Sequence, residues 1–385
     1  MAFKYYLNEP LVGEKEIEYA TKVIQQGWLS PGGEFNKKLE EAFANLIGVQ
    51  YALAVQSGTA ALHTALLAFD IKPGDKVVVP SYTCAACVTS VLQTGAIPVL
   101  IDVEPKTFGM DIHILEDVLS TQNIKAVMVV HVYGFPVQNF DKIMELCKKY
   151  NVLLLEDASE ALGATIHGKN AGSFGDISVF SIRSEKMIGV GEGGVVLTNQ
   201  KEWHDQAYYY AARAAPFRRP EDPWWHKYIY TGVGMNYLLP HLPAAIGVAQ
   251  LENFPEILQK KRFIGKKYRE LLGSLPGIRF QEIAPETEPC FWLNCILLDA
   301  EEKKVREIGA DLIRQGLEVR PAFWPLSDLD AFRQFSYGSQ EQSLKLFRSM
   351  LVLPSSVKLA ENGGKALDEI AEIMKETFAR HGMIS

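Results

Sequence analysis

The sequence predicts an α/β protein with a mostly parallel central sheet between helices, followed by a smaller C-terminal α/β domain. Short apolar runs rich in valine, isoleucine and leucine alternate along the chain with stretches of helical periodicity. The runs are continuously apolar, which is typical of strands buried on both faces of a parallel sheet. Strands that alternate with helices of this length favour a sheet covered on both sides.

The first part of the chain contains the predicted main sheet. Two helices, 13–25 and 34–47, come first, and the Gly/Pro-rich segment GWLSPGG separates them. A helix that ends at Phe69 follows the first strand, and turn sequences such as Lys72 to Asp75 separate the later elements. The predicted strands are 51–55, 76–80, 97–102, 125–131, 152–155, 177–182 and 195–198, with further helices at 84–94, 111–119 and 138–150.

The remaining chain is predicted to add a smaller unit. Because 385 residues exceed what one core usually holds, we expect two domains, 1–255 and 256–385. Segment 216–229 is rich in proline and charge and is predicted as a loop, in which Trp224, Trp225 and His226 indicate an interface or a lid. The predicted helices are 201–214, 243–251 continuing through 254–273, 302–315, 340–350 and 363–380, and the predicted strands are 278–281, 290–299 and 317–320.

Composition argues against several classes of protein. With 39 basic and 46 acidic residues, the net charge is −7, which does not attract nucleic acid or anionic membranes. No apolar run approaches the roughly 18 residues of a membrane span, and the N-terminus lacks a signal-peptide core. Five scattered cysteines do not make a disulfide scaffold, and Cys84 and Cys87 are predicted as buried thiols, not metal ligands. We therefore expect a cytoplasmic protein without nucleic-acid, membrane or metal partners.

The segment 151–199 carries the strongest chemical signal. Strand 152–155 runs directly into two carboxylates, the second of which is Asp157, and Lys186 lies between apolar runs after the next strand. Carboxylates and a lysine at the ends of buried strands are typical of sites in open α/β sheets. A partly buried lysine loses its proton readily and becomes a Schiff-base nucleophile, with Asp157 as a charge partner. The alternatives are a solvated Lys186 and a helix-capping Asp157.

Other strand ends carry polar residues with two interpretations each. Ser57–Thr59 joins a strand to a helix, where backbone N–H groups bind phosphate or a side chain simply caps the helix. Arg183 suits recognition of a carboxylate or phosphate, or forms a surface salt bridge. Ser181, taken alone, is structural. His131 and Tyr133 lie at the end of another strand. Either one of them contacts a flat cofactor, or His131 is a core histidine whose hydrogen bonds are satisfied within the protein.

Seven motifs occur together along the first half of the chain: SGTAAL, PGDKVVVPS, HVYG, EDASEALGA, GSFGD, FSIRSEK and GEGG. In this order and spacing the sequence resembles the DegT/StrS-type sugar aminotransferases, which are fold-type-I enzymes dependent on pyridoxal 5'-phosphate (PLP). The resemblance extends over essentially the whole chain, through MNYLLPHLPAAIGVAQLE to LEVRP. It implies the fold-type-I architecture, PLP as the cofactor, and a homodimer with shared active sites.

The resemblance also implies roles for residues around the PLP ring. Lys186 would form the Schiff base with the cofactor, and Asp157 would pair with the pyridinium nitrogen. Glu160 would lie near the hydroxyl of the ring. Cys84 stands where the family commonly places an aromatic residue against the ring.

A second group of residues is implied to hold the phosphate. Gly58 and Thr59 would donate backbone N–H groups, helped by the hydroxyl of Ser181. Asn236, in the motif MNY, would reach the phosphate of the neighbouring subunit.

The implied reaction moves an amino group from L-glutamate to a keto or aldehyde sugar for cell-surface polysaccharide, such as lipopolysaccharide. Lys186 would act as general base and acid. Family members with histidine at this position dehydrate the sugar, so Lys186 favours amino transfer.

Departures from the family bear on the substrate. Leu238 replaces a usual arginine, and the segment before the lysine is Arg183–Glu185. As a hypothesis, Arg183 compensates and, with Arg320, binds substrate. An acidic acceptor would be an 8-oxo-3-deoxy-octulosonate that yields the 8-amino sugar. The alternatives are a GDP-linked 4-keto-6-deoxy sugar and, in a different class, a non-catalytic PLP-binding regulator.

Overall fold

The computed structural model describes residues 3–215 and 228–384. Trp224, Trp225 and His226, predicted as an interface or a lid, lie outside the described residues, as does most of the predicted loop 216–229. Within the described ranges, no helix is both long enough and apolar enough to span a membrane.

The strands and helices have the following bounds. The strands are β1 (Tyr51–Val55), β2 (Lys76–Pro80), β3 (Ile97–Ile101), β4 (Ala126–Val130), β5 (Leu153–Asp157), β6 (Thr165–Ile166), β7 (Lys169–Asn170), β8 (Ile177–Ser181), β9 (Gly194–Thr198), β10 (Ile278–Phe280), β11 (Thr287–Glu288), β12 (Asn294–Leu298), β13 (Arg320–Pro321) and β14 (Met350–Leu353). The α-helices are α1 (Glu14–Gln26), α2 (Glu34–Ile47), α3 (Gly58–Ala68), α4 (Ala85–Gln93), α5 (Ile112–Thr121), α6 (Phe140–Tyr150), α7 (Lys201–Ala211), α8 (His241–Leu272), α9 (Glu302–Arg314), α10 (Glu341–Ser349) and α11 (Lys365–Arg380).

The main sheet has seven strands in the order β1-β9-β8-β5-β4-β2-β3. Neighbouring strands from β8 through β5, β4 and β2 to β3 are parallel, whereas β9 is antiparallel to both β1 and β8. The predicted α/β fold with a mostly parallel sheet is therefore confirmed. Because parallel strands share one carboxyl edge, β4, β5 and β8 all end on the same side of the sheet.

Helices bury both faces of this sheet. Val77 and Val79 of β2 belong to the core that also contains Leu62 of α3. Val78, between them, belongs to a second core with Leu115 of α5 and Ile143 of α6. Successive side chains of a strand point to opposite faces, so an unbroken run of valines is buried on both sides.

The C-terminal part contains a second sheet, which is antiparallel and ordered β10-β12-β14-β13. Its own core unites side chains of α8, α9 and α11, including Tyr268, Ile308 and Phe378. The predicted boundary at residue 255 falls inside α8, which continues through Pro255 without a break. The division into 1–255 and 256–385 stays a prediction.

Several predicted elements of this part were wrong in extent or kind. The predicted helix 340–350 ends at Ser349, and the apolar residues Met350–Leu353 form β14. The predicted strand 290–299 is reduced to β12, because Phe291 has a φ of 55° and interrupts the extended backbone. The small sheet β11-β6-β7 was not predicted, since its strands have only two residues each.

Candidate functional site

A cavity of about 450 Å³ opens at the carboxyl ends of β4, β5 and β8. The last residue of each strand lies in its wall, namely Val130, Asp157 and Ser181. Nine of the side chains predicted from the sequence line this cavity: Gly58, Thr59, Cys84, Asp157, Glu160, Ser181, Arg183, Lys186 and Arg320. The topology thus brings together residues that lie far apart in the chain.

Lys186 forms an ion pair inside the cavity. Its Nζ lies 3.0 Å from Oε1 of Glu160, and both side chains are largely buried. The indole ring of Trp292 lies against the same amine, with its centroid 3.8 Å from Nζ. A solvated lysine, one of the two interpretations from the sequence, does not describe these surroundings. The amine is held between a carboxylate and the face of an aromatic ring.

Glu160 is held by the backbone as well as by Lys186. Its Oε2 accepts the N–H of Tyr133 at 2.8 Å. Burial raises the pKa of Glu160, although the charge of Lys186 and the Tyr133 amide oppose that shift. The carboxyl group is therefore a better proton acceptor at neutral pH than an exposed glutamate.

Asp157 ends β5 and is buried in the floor of the cavity. Its Oδ1 accepts the N–H of Ser159 at 3.0 Å, and its Oδ2 lies 3.4 Å from Sγ of Cys87, which donates. Burial raises the pKa of the Cys87 thiol well above its usual range, so the thiol keeps the proton that it donates. Both Cys84 and Cys87 were predicted to be buried. Cys87 is buried, whereas Cys84 is exposed in the cavity wall.

The neighbouring carboxylate, Glu156, points to the opposite face of β5 and has a structural role. It is fully buried and accepts hydrogen bonds from His131 and from the N–H groups of Gly172, Phe174 and Gly175. Burial alone would raise its pKa, but the His131 hydrogen bond and these amides lower it. His131 is thus a satisfied core histidine, as one of the two interpretations from the sequence held.

Tyr133 is the member of the HVYG motif that lines the cavity. Its ring stacks on Phe323, with centroids 5.3 Å apart and planes inclined by 10°. Its hydroxyl bonds to that of Tyr82 at 3.1 Å. A φ of 59° turns its amide towards Glu160.

The N-terminus of α3 forms another wall. Oγ of Ser57 accepts the N–H of Ala60 at 3.1 Å, so the capping interpretation is correct. Within residues 3–215 and 228–384, the N–H groups of Gly58 and Thr59 have no protein acceptor. A Cβ on Gly58 would lie 2.8 Å from Cβ of Ser181, so the loop and the end of β8 approach closely only because residue 58 is glycine. Capping and anion binding are compatible here.

Charged side chains surround the entrance of the cavity. Arg183 Nε lies 3.0 Å from Glu192, and Arg320 lies 2.8 Å from Glu318. Glu185 lies between the two arginines, at 3.9 Å from Arg183 and 3.7 Å from Arg320. The surface salt bridge proposed for Arg183 is therefore present, at a position that also lines the cavity.

A buried hydrogen-bond network behind this wall was not predicted. Lys261 of α8 is 1% exposed and donates to Oδ1 of Asn8 at 2.8 Å and to the carbonyl of Trp292 at 2.9 Å. It also donates to the carbonyl of Ser355 at 2.7 Å. Asn8 and the Trp292 indole both donate to the carbonyl of Glu185, each at 2.6 Å. Burial lowers the pKa of Lys261 to about 7.

No signal in the sequence points to Trp292 or Lys261. Trp292 lies in the short apolar run CFWL, which is typical of a core segment. Lys261 stands in the basic run KKR of a long helix, where a lysine is usually solvated. Asn236 is the predicted site residue that does not line the cavity. It is exposed and pairs with Ala212 through the backbone.

The chain belongs to the DegT/DnrJ/EryC1/StrS aminotransferase family, which matches residues 10–375. This confirms the predicted class, a sugar aminotransferase with PLP as its cofactor. The chain is 35% identical over 326 residues to GDP-perosamine synthase of Escherichia coli O157:H7, covering 85% of this chain and 86% of the relative. It is 38% identical over 320 residues to GDP-perosamine synthase of Caulobacter vibrioides, covering 82% and 84%.

The fold is also that of solved structures. A putative sugar aminotransferase from Streptococcus pneumoniae, in its apo form, superposes with a TM-score of 0.90 at 23% identity over 98% of each chain. GDP-4-keto-6-deoxy-D-mannose-3-dehydratase of E. coli, with bound hydrated PLP, gives a TM-score of 0.88 at 22% identity over 97% of this chain and 100% of the other. At these identities the likeness concerns the fold alone.

Proposed function

We propose that the chain transfers an amino group from L-glutamate to C4 of a GDP-linked 4-keto-6-deoxy sugar, in the biosynthesis of a surface polysaccharide. The observation that carries the proposal is the buried pair of Lys186 and Glu160 beside Asp157, in a cavity of this family's fold. The relatives named GDP-perosamine synthase support the choice of acceptor.

The polar groups of the cavity fit PLP. The free N–H groups of Gly58 and Thr59 at a helix N-terminus suit its phosphate, with Ser181 next to them. The buried carboxylate of Asp157 suits its ring nitrogen, and the Lys186 amine suits its aldehyde carbon. Cys84 would contact the ring in place of an aromatic side chain. When bound, the cofactor supplies an electron sink next to the reacting carbon.

Lys186 is proposed to move the proton of the reaction. Its Nζ would take a proton from the amino-bearing carbon of the donor and return one to the cofactor side. Only a neutral amine can accept that proton. Glu160, at 3.0 Å and with a raised pKa, is placed to receive the extra proton of the Lys186 ammonium.

The active unit is proposed to be a homodimer. Asn236 is exposed and does not line the cavity of its own chain, as expected for a residue that serves the site of the partner subunit. Apolar side chains that a partner could cover are exposed on and after α1, including Ile24, Trp28 and Leu29. Mixing Lys186→Ala with Asn236→Ala subunits should restore activity that neither variant has alone, because one site of each mixed dimer is intact. No recovery after mixing would contradict shared sites.

A second acceptor is tested in parallel. Two arginines at the entrance, Arg183 and Arg320, favour an acidic acceptor such as an 8-oxo-3-deoxy-octulosonate. The relatives named GDP-perosamine synthase favour the GDP-linked acceptor instead.

The deciding experiment begins with the pyridoxamine phosphate form of the enzyme. Single turnovers with the GDP-4-keto-6-deoxy sugar, the octulosonate aldehyde and a UDP-linked keto sugar are followed by absorbance and by mass spectrometry of the products. Amination of the GDP sugar at a rate at least tenfold above the others is expected. Faster amination of the octulosonate would replace the proposed acceptor, and turnover with none would refute amino transfer to sugars and leave the PLP-binding regulator.

A further inference from the structure

The carboxylate of Glu185 lies in the cavity wall between two arginines. Its two oxygens face different partners, Oε2 towards Arg183 at 3.9 Å and Oε1 towards Arg320 at 3.7 Å. Both separations are longer than those of the other glutamate that each arginine contacts, 3.0 Å for Glu192 and 2.8 Å for Glu318. Glu185 is thus the most weakly held of the three carboxylates around these arginines.

The backbone of Glu185 is fixed, in contrast to its side chain. Its carbonyl oxygen accepts hydrogen bonds from Asn8 Nδ2 and Trp292 Nε1, each at 2.6 Å. The residue directly precedes Lys186, so this anchor adjoins the backbone of the lysine that carries the reacting amine. The side chain, which is 41% exposed, can change its rotamer without moving that anchor.

An enzyme of the proposed function has to accept two ligands of different charge in one cavity. The amino donor is a dicarboxylate, whereas the ring of the acceptor sugar carries no carboxylate. Two arginines suit the donor. Glu185, Glu192 and Glu318 place three carboxylates around the two guanidinium groups. The one in excess opposes a carboxylate of the donor unless it moves away.

We propose that Glu185 is a specificity-determining residue that stands in for a substrate carboxylate. Its carboxylate lies between Arg183 and Arg320 while the sugar is bound. When the dicarboxylate donor binds, the Glu185 side chain moves away and a carboxylate of the donor takes its position. The idea rests on the proposed function, because it assumes a dicarboxylate donor and a sugar acceptor. Exposed ion pairs contribute little to stability, so moving the Glu185 carboxylate away costs little free energy. Glu192 and Glu318 remain in place and keep the arginines oriented.

The test compares the wild-type holoenzyme with Glu185→Gln, which has the same shape and no charge. Glutarate, a dicarboxylate that cannot react, is titrated into each protein by calorimetry. The variant is expected to bind glutarate about five- to tenfold more tightly, because the competing internal carboxylate is gone. Its KM for the sugar should change little, because Arg183 and Arg320 keep their pairs with Glu192 and Glu318.

Two further proteins make the result specific. In Glu185→Gln/Arg320→Gln the gain in glutarate affinity should disappear. Glu302→Gln is the matched control, since Glu302 also contacts two arginines, Arg306 and Arg348, but lies outside the cavity wall. It should bind glutarate like the wild type.

The outcomes separate this inference from the proposed function. If Glu185→Gln binds glutarate no more tightly than the wild type, the role of Glu185 is refuted, even when amino transfer to the sugar is observed. If the affinity rises as expected but no sugar is aminated, the role of Glu185 in admitting dicarboxylates stands and the proposed acceptor falls.

Discussion

Replacing Lys261 by methionine tests whether the buried network behind the cavity stabilises the fold. Methionine has nearly the length of lysine but no hydrogen-bond donor. Three acceptors surround the amine, on Asn8, Trp292 and Ser355. At pH 9 the neutral amine has two N–H groups, so the substitution removes two hydrogen bonds. At about 1 kcal/mol or more for each, we expect the variant to be less stable by roughly 2–4 kcal/mol at pH 9.

The dependence of this difference on pH carries the sharper prediction. Burial lowers the pKa of Lys261 to about 7 in the folded protein, whereas an unfolded chain has a lysine pKa of about 10.4. Between these values the unfolded chain binds more protons, so the stability contributed by Lys261 is lowest at and below pH 7 and increases as the pH rises. Between pH 7 and pH 9 the gain amounts to about 2 kcal/mol. Methionine does not titrate, so the variant lacks this gain.

The measurement is urea unfolding of both proteins at pH 7, 8 and 9, followed by circular dichroism. Other titrating groups cancel when the two unfolding free energies are subtracted. Lys260→Met is the control, because Lys260 pairs with Glu256 on the outside of α8, at 2.7 Å, and should show no pH-dependent difference. Parallel curves for the wild type and Lys261→Met would refute the lowered pKa of Lys261, and equal stability of the two proteins at pH 9 would refute a stabilising role of the network.

Two further predictions concern the cofactor. Asp157→Asn removes the buried charge proposed to face the ring nitrogen. The half-reaction with L-glutamate, followed by stopped-flow absorbance, should become about a thousandfold slower, which corresponds to about 4 kcal/mol. A decrease in rate of less than tenfold would contradict this role. Gly58→Ala places a Cβ 2.8 Å from Cβ of Ser181, so the phosphate end of the site must widen. Titration of the cofactor-free variant with PLP should give a Kd about tenfold higher, equivalent to about 1.4 kcal/mol, and an unchanged Kd would show that Ser181 moves freely.

Local sequence patterns predicted much of the main sheet and of the site. Apolar runs located the strands to within two residues, and parallel strands necessarily gather their carboxyl ends. The polar residues directly after those runs, such as Asp157 and Ser181, were therefore expected at one edge. Lys186 comes soon after the run 177–182 and directly before Met187 and Ile188, a pattern that left a solvated lysine open as an alternative.

Contacts between distant segments could not be predicted in this way. Trp292 lies just before β12 of the second sheet and covers the amine of Lys186, and no local pattern records that approach. Lys261 looks like a surface lysine until three acceptors from separate segments enclose it. The apolar residues Met350–Leu353 are compatible with a helix end or a strand, and pairing with β12 decides between them.

The two adjacent carboxylates of β5 show how much one step along a strand determines. Glu156 fastens loops on one face of the sheet, while Asp157 faces the cavity on the other. A slip of β5 by a single residue would exchange these assignments and put the chemical group into the core. Within this strand, a deletion or insertion of one residue should therefore abolish function even where every single apolar replacement is tolerated. Function therefore depends on the register of β5 in the sheet more than on the identity of its apolar residues.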